Sequence, residues 1–369
     1  MSRRIQPIPA ALLLADGTYW KGYSIGKIGI TAGEICFNTG MTGYQEVFSD
    51  PSYHRQILVE THVHVGNYGM REEEMESNAI RIAGLVCRNY NVSYARTLAT
   101  QSIQDVLSSA GLVGIGGLDT RKLVTHIRAK GAMNAVISSE NISEEFLSDY
   151  LKQVPSMLGL ELSSEVTTRE LRMVGDPSSK FRVALLDLGV KENIIRCLTD
   201  RGAFVGVFPA HASFSEIMAF EPSGFQISNG PGDPSAMPYA VDLVKKMLDT
   251  RLPLFGICLG HQILAEATGI GTYKMFNGHR GCNHPVLNKI TGRAEMTSQN
   301  HGFSIIREDA ESHPEILVTH VNLNDQSVEG IKIKNLPAFS VQYHPESNPG
   351  PHDSRYLFDQ FLELMANPA

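Results

Sequence analysis

The chain has 369 residues, of which 42% are hydrophobic and 19% charged, and its formal net charge at pH 7 is -7. This length exceeds what one hydrophobic core usually supports, and the composition is that of a globular protein, so we expect two domains and exclude a disordered or fibrous chain. The negative charge and the lack of a Lys/Arg cluster in the sequence argue against a nucleic-acid partner, whose phosphates need a concentrated basic surface.

The sequence also argues against a membrane or secreted protein. No segment has the length of a membrane span, and the apolar stretch AALLL behind Arg3 and Arg4 is too short for a signal-peptide core. The five cysteines are an odd number without paired spacing, which does not suit a disulfide framework. We therefore expect a cytoplasmic protein that does not contact a membrane.

The first part of the chain reads as strands and turns with some helix. ALLLADGTYWKG predicts a strand pair that turns at Asp16-Gly17, and QILVETHVHV predicts a further strand. DTRKLVTHIRAKG predicts a helix that begins at Asp119 or Thr120 and ends at Gly131. Residues 1–158 are accordingly expected to form a mixed α/β domain with a strand-rich start.

A loss of periodicity marks the domain boundary. Residues 159–180 show no regular pattern and end in the turn formers GDPSSK, so we expect a linker there. From 181 to 369 strand and helix patterns alternate, which predicts a doubly wound, mostly parallel sheet with helices on both faces. Ligands of such sheets bind at the carboxyl ends of the strands, where SNGPGDP and GICLGHQ fall.

GICLG has the order glycine, x, nucleophile, x, glycine, in which a sharp strand-to-helix turn exposes the central side chain. Taken alone, a cysteine is more often a small buried residue. Its position at the end of a strand and the start of a helix, whose dipole favours a thiolate, predicts instead that Cys258 is a nucleophile.

A nucleophilic cysteine needs a base and a group that orients the base. His313-Pro314-Glu315 follows a polar run and reads as a surface turn, whereas His344-Pro345-Glu346 ends the apolar run AFSVQY. Because residues i and i+2 of an extended chain point to the same side, His344 and Glu346 can face one pocket. We therefore choose the second triplet over the first.

Acyl transfer also requires hydrogen-bond donors for the developing oxyanion. The N-H groups of Leu259 and Gly230 are the candidates, with a plain turn capped by Asp233 as the structural alternative for SNGPGDP. HRGCNH (279–284) and HVH (62–64) carry plausible metal ligands, but neither has a second pair at zinc-like spacing. We therefore predict no metal in this chain.

Together SNGPGDP, FGICLGHQ, SQNHGF and QYHPE resemble the class I (triad) glutamine amidotransferases, which have a flavodoxin-like fold, over residues 181–369. GEICFNTGMTGYQEVFSDPSYHRQIL, GNYG and GLDTRKLVTHIRAKGAMNAVI are similar to the small-subunit family of carbamoyl-phosphate synthetases. The resemblance therefore covers nearly the whole chain.

The resemblance implies that Cys258 forms a glutamyl thioester, that His344 is the base and later the acid, and that Glu346 orients His344. It also implies that L-glutamine is bound by Ser52, Gly230, Gly232, Leu259, Gln262, Asn300, Gly302 and Phe303. One departure is the segment KMFNGHRGCNHPV, which we interpret as a loop, where the family more usually has a phenylalanine directly before Gly-His and a small residue at the position of Cys282.

The implied partner is a large subunit that uses ammonia, bicarbonate and two ATP to make carbamoyl phosphate for arginine and pyrimidine biosynthesis. ATP and a divalent metal are expected on that subunit of a cytoplasmic heterodimer, and no cofactor in this chain. A glutaminase of another synthase, such as those that make anthranilate or GMP, is a rival, although those glutaminases lack the FNTGMTGYQE region. A catalytically silent regulatory subunit is a third interpretation.

Overall fold

The computed structural model describes residues 7–367. Arg3 and Arg4, the start of the predicted first domain and the last two residues of the predicted second domain lie outside the described residues. The chain forms two compact units, Met1–Met157 and Leu158–Ala369. Each unit has its own hydrophobic core and is described by itself.

The strands of the first unit are β1 (Pro9–Leu14), β2 (Tyr19–Gly26), β3 (Ile30–Asn38), β4 (Gln56–Glu60), β5 (His64–Val65), β6 (Gly84–Val86), β7 (Asn89–Tyr90), β8 (Val113–Gly116) and β9 (Met133–Ser138). Its helices are α1 (Tyr44–Ser49), α2 (Ile103–Ser109), α3 (Thr120–Lys130) and α4 (Glu144–Leu151), with 3₁₀ turns at Pro51–Tyr53 and Glu72–Glu74. Seven of the strands close into a barrel in the order β1-β2-β8-β6-β4-β3-β9. The unit is therefore the mixed α/β domain with a strand-rich start that the sequence predicts.

Two predicted elements of this unit are confirmed. β1 and β2 pair antiparallel, and the turn between them contains Gly17 in a left-handed conformation with φ 84°. The side chain of Asp119 accepts a hydrogen bond from the N-H of Lys122 and so caps α3, which ends before Gly131. The turn and cap residues thus set the bounds of these elements.

The strands of the second unit are β10 (Arg172–Val174), β11 (Arg182–Asp187), β12 (Phe204–Pro209), β13 (Gly224–Ile227), β14 (Leu254–Ile257), β15 (Thr272–Asn288), β16 (Arg293–Ile305), β17 (Ile316–Asn322), β18 (Val328–Ile333) and β19 (Ala338–Val341). Its helices are α5 (Ser163–Val166), α6 (Glu192–Thr199), α7 (Phe214–Ala219), α8 (Pro238–Asp249), α9 (Leu259–Ala267), α10 (Arg307–Ser312) and α11 (Tyr356–Ala366), with a 3₁₀ turn at Pro234–Ala236. All ten strands form one sheet, in the order β10-β12-β11-β13-β14-β19-β18-β17-β15-β16.

The central part of this sheet is parallel. β12, β11, β13, β14 and β19 pair parallel in that spatial order, which is the 2-1-3-4-5 order of a flavodoxin-like sheet. Residues of α7, α8 and α9 pack on one face, and residues of α6 and α11 pack on the other. The predicted doubly wound, mostly parallel sheet is therefore confirmed, with an antiparallel extension from β18 to β16.

Two segments differ from expectation. Residues 159–180, expected as a linker, carry α5 and β10 and belong to the second unit, because β10 adds to the edge of the sheet by antiparallel pairing with β12. KMFNGHRGCNHPV, interpreted as a loop, lies within β15 and pairs with β16 through two shifts of register. Such shifts interrupt the alternation by which a strand is recognised in sequence.

Within residues 7–367, no helix is long and apolar enough to cross a membrane.

Candidate active site

Cys258 lies between β14 and α9 in a strained backbone conformation, with φ 53° and ψ -104°. A side chain at Gly256 would meet the carbonyl of Gly260, and one at Gly260 would meet the carbonyl of Ile227. The turn therefore needs both glycines, as the sequence analysis expects. A non-glycine residue held at positive φ is costly, and strain of this kind is concentrated at functional sites.

His344 and Glu346 follow the carboxyl end of β19, next to the end of β14 that precedes Cys258. The Nδ1 atom of His344 lies 2.7 Å from Oε1 of Glu346, and both side chains are buried. The backbone N-H of His344 donates to the carbonyl of Ser298, which fixes the segment against β16. Since Nδ1 is held by the carboxylate, Nε2 is the nitrogen left to exchange a proton with the thiol of Cys258.

Charge interactions couple the ionisation of Cys258, His344 and Glu346. Burial by itself would lower the pKa of His344, but the charge on Glu346 and then that on a Cys258 thiolate, with hydrogen bonds to both, raise it well above the usual range. Burial opposes the ionisation of Glu346, but the charge on Lys191 and then that on His344 lower its pKa well below the usual range. The arrangement therefore favours an imidazolium beside an ionised Glu346.

Two residues that support Glu346 were missed by the sequence analysis. Lys191, which lies between β11 and α6, is buried with its Nζ atom 3.0 Å from Oε1 of Glu346. Asn193, in α6, donates from Nδ2 to the backbone carbonyl of Glu346 at 2.7 Å. The only sequence signal was their position directly after a buried strand, where doubly wound sheets hold ligands.

Amide side chains line the other side of the thiol. Nε2 of Gln342 lies 3.8 Å from Sγ of Cys258, and Oε1 of Gln342 accepts a hydrogen bond from Nε2 of Gln262. The same Gln262 amide donates to the carbonyl of Phe303 at 2.8 Å. Gln342 was not predicted, and it links the nucleophile to two predicted glutamine-binding residues.

The segment from Asn300 to Phe303 lies in β16, beside the nucleophile. The thiol of Cys258 lies 3.6 Å from the carbonyl oxygen of Asn300, in the geometry of a weak hydrogen bond. Both Asn300 and Phe303 are buried, with Gly302 between them on the same strand. The structure therefore brings this predicted segment to Cys258.

The two candidate oxyanion donors also lie together. Leu259 is the first residue of α9, and the first N-H groups of a helix have no partner within the helix. A side chain at Gly230 would meet the carbonyl of Leu188 and the side chain of Leu259, so the SNGPGDP loop lies directly against this turn. The N-H of Gly260 donates to the carbonyl of Ser228, which holds the loop there.

Two further predicted glutamine-binding residues are Gly232 and Ser52. Gly232, with φ 100°, faces Leu160 and Leu162, and Asp233 caps the following 3₁₀ turn. Ser52 belongs to the first unit, where its N-H donates to the side chain of Asp50. The glutamine contacts of these two residues, like those of the other predicted residues, stay predictions.

Comparisons with known proteins found matches for both units of the chain. A family model described as glutamine amidotransferase class-I matches residues 184–364, and one described as the CPSase domain of the carbamoyl-phosphate synthase small chain matches residues 12–137. The carbamoyl phosphate synthase small chain of Chlorobaculum tepidum is 46% identical over 98% of this chain and 99% of its own. Those of Nostoc sp. and Streptomyces coelicolor are 46% and 45% identical, covering 97% of this chain and 95% and 96% of their own.

Proposed function

The chain belongs to the family of carbamoyl phosphate synthase small chains, and on that premise we propose that it hydrolyses L-glutamine at Cys258 and supplies the ammonia to a large subunit. The observation that carries the proposal is the thiol of Cys258, set in a strained turn beside a buried His344 that is paired with Glu346. A histidine with only a structural role could be hydrogen-bonded without a buried carboxylate and a buried lysine that pairs with that carboxylate.

The first chemical step is attack of the Cys258 sulfur on the carbonyl carbon of the glutamine side chain. His344 holds the proton of the thiol, and the N-H groups of Leu259 and Gly230 are the donors proposed for the oxyanion. The tetrahedral intermediate collapses when the C-N bond breaks and His344 gives its proton to the leaving nitrogen. Ammonia and a glutamyl thioester result.

The second step regenerates the enzyme. His344, now neutral, takes a proton from a water molecule that attacks the thioester carbonyl. The C-S bond then breaks, glutamate leaves, and the proton returns to the pair formed by Cys258 and His344. Glu346 keeps the imidazole ring oriented through both steps, and Lys191 keeps Glu346 ionised.

The ammonia serves carbamoyl phosphate synthesis from bicarbonate and two ATP, and so arginine and pyrimidine biosynthesis. We assign ATP, the divalent metal and the synthetase chemistry to the large subunit. The match of residues 12–137 to the small-chain model supports this partner over those of other glutaminases, since the resemblance of that region is specific to this family.

The test measures glutamate release by the purified chain and by Cys258→Ser, each alone and with a large subunit, ATP and bicarbonate. We expect Cys258→Ser to release no glutamate above background. Cys282→Ser is the matched control, because Cys282 is half-buried in β15 and has no role in the proposed reaction.

Absence of Cys258-dependent glutamate release in every mixture would overturn the enzyme proposal in favour of a silent regulatory subunit. Glutamate release without carbamoyl phosphate in the full mixture would contradict the proposed partner and favour another synthase.

A further inference from the structure

A second cluster of chemically capable side chains lies behind the Asn300–Phe303 segment. His279 on β15, His301 on β16 and Glu329 on β18 are all buried, and their potential ligand atoms lie within 4.8 Å of one another. Oε2 of Glu329, on a side chain that is 0% exposed, has no hydrogen-bond partner among residues 7–367. A buried carboxylate oxygen without a partner is costly, so Oε2 of Glu329 is open to a cation.

The hydrogen bonds of the two histidines define which ring nitrogens face the cluster. Nε2 of His279 lies 2.8 Å from Oδ2 of Asp325 and donates to it, so Nδ1 faces the cluster, 3.4 Å from Oε1 of Glu329 and 3.5 Å from Nδ2 of Asn322. Nδ1 of His301 donates to the carbonyl of Phe303 at 2.7 Å, so Nε2 carries its lone pair. A histidine whose second N-H is held by a carboxylate or a backbone carbonyl is the usual arrangement of a metal ligand.

The lone pair of His301 is poorly matched by its neighbour. Its Nε2 atom lies 2.7 Å from Oε1 of Gln299, which is also an acceptor. A proton, a rotated amide or a cation must lie between these two atoms. Together with Glu329, the position therefore offers one carboxylate oxygen and one imidazole nitrogen that can both bind a cation.

We propose that His279, His301 and Glu329 bind a zinc ion. Two imidazole nitrogens and one carboxylate are a set of ligands that zinc takes, at about 2.0–2.2 Å from the ion. The ligand atoms, which lie within 4.8 Å of one another, would have to move closer together around the ion. His284 is the candidate fourth ligand, since its ring centroid lies 5.1 Å from that of His279 and its buried Nδ1 atom has no partner within residues 7–367.

The charges near the cluster include both signs. The carboxylates of Glu329 and Asp325 favour a divalent cation, and the guanidinium of Arg280, beside Gly302, opposes it. Asn322 donates to Oε1 of Glu329 at 2.8 Å and orients that carboxylate. Spacing along the chain predicts no metal because the ligands come from three strands, which only the folded sheet brings together.

The experiment titrates the full-length Cys258→Ser chain with Zn²⁺ by calorimetry and with Co²⁺ by visible absorption, so that the catalytic thiol cannot supply the binding. We expect one equivalent bound with release of protons, and a tetrahedral Co²⁺ spectrum. Adding Glu329→Gln should abolish both signals. Adding His64→Gln, at an exposed histidine of the first unit, should leave them unchanged.

If Glu329→Gln does not fold, Asp325→Asn tests the zinc site instead. The side chain of Asp325 is 42% exposed, so the protein should tolerate this substitution. This variant should weaken zinc binding about 10- to 100-fold. No binding to the parent, or undiminished binding to whichever of Glu329→Gln and Asp325→Asn folds, would overturn the proposal, and His279 would then hold a proton between Asp325 and Glu329. The readout needs no turnover, so its result is independent of the glutaminase test.

Discussion

The tripeptide His-Pro-Glu occurs twice in the second unit, and the two copies are in opposite environments. His313 follows α10, and its Nδ1 atom accepts a hydrogen bond from the N-H of Glu315, whose side chain is exposed. His344 follows β19, is 2% exposed, and its Nδ1 atom is paired with the fully buried Glu346. The same three residues thus form a surface turn in one place and an acid-base group in the other.

Each copy of the tripeptide also contacts a lysine, and the two lysines differ in the same way. Lys334, on the surface, donates to the backbone carbonyl of Pro314. Lys191 is buried and forms an ion pair with the carboxylate of Glu346. The difference shows that proton transfer capacity comes from the desolvated charges that surround a histidine, and not from the tripeptide itself.

The two copies should differ most in their effect on the rate of glutamine hydrolysis. His344→Asn removes the group that exchanges a proton with Cys258, and we expect the rate to fall about a hundred- to ten-thousandfold. His313→Asn is the matched control and should leave the rate close to that of the wild type, since its ring accepts a hydrogen bond within its own surface turn. Similar losses in the two variants would mean that the wrong triplet has been assigned to the thiol.

A smaller effect is expected on the stability of the second unit. Lys191→Met leaves Glu346 buried without its strongest charge partner, and we expect a loss of about 3–5 kcal/mol in the free energy of unfolding. Lys334→Met should change stability little, because its ammonium is on the surface.

Denaturant unfolding followed by two probes separates the two units. Trp20 is the single tryptophan and lies in the first unit, so its fluorescence follows that unit, whereas circular dichroism follows both. Lys191→Met should shift the circular dichroism transition and leave the fluorescence transition in place. An unchanged circular dichroism transition would contradict a stabilising ion pair between Lys191 and Glu346.

The sequence predicts those parts of the site that depend on local patterns. Cys258 is recognisable from its two glycines between a strand and a helix, and His344 and Glu346 from their i, i+2 spacing after an apolar run. Lys191 and Gln342 could not be predicted, because a lysine or an amide near a strand end has no pattern of its own. Their role depends on which strands are neighbours in the sheet.

The fold, like the site, is predictable from sequence only where it depends on local patterns. The alternation of strand and helix patterns predicts the parallel sheet, and the turn residues predict the β1–β2 hairpin. The closed barrel of the first unit depends on contacts between residues distant in sequence. β15 and β16 are neighbours in sequence, but two shifts of register in their pairing obscure the alternation that would mark them as strands. Residues 159–180 lack a pattern because β10 is a short edge strand with exposed residues.

The smallest expected effect is a change in the protonation of His344, which reports most directly on the environment of its ring. The folded-state pKa of His344 lies above the value of about 6.5 for an unfolded chain. The stability that this proton contributes is therefore complete below about pH 6.5 and is lost as the pH rises through the folded-state pKa. Glu346 has the opposite sign: its contribution is complete above its unfolded-state pKa of about 4.5 and is lost as the pH falls through its lower folded-state value.

Histidine ring NMR can follow this titration, with the resonance of His344 assigned by its absence in His344→Asn. Glu346→Gln should lower the pKa of His344 more than Cys258→Ser does, because the charge of Glu346 is the stronger of the two that hold the proton. Glu315→Gln, in the surface copy, should leave the resonance of His344 unaffected. If Glu346→Gln also left the titration unchanged, the buried carboxylate would not be what distinguishes the second triplet from the first.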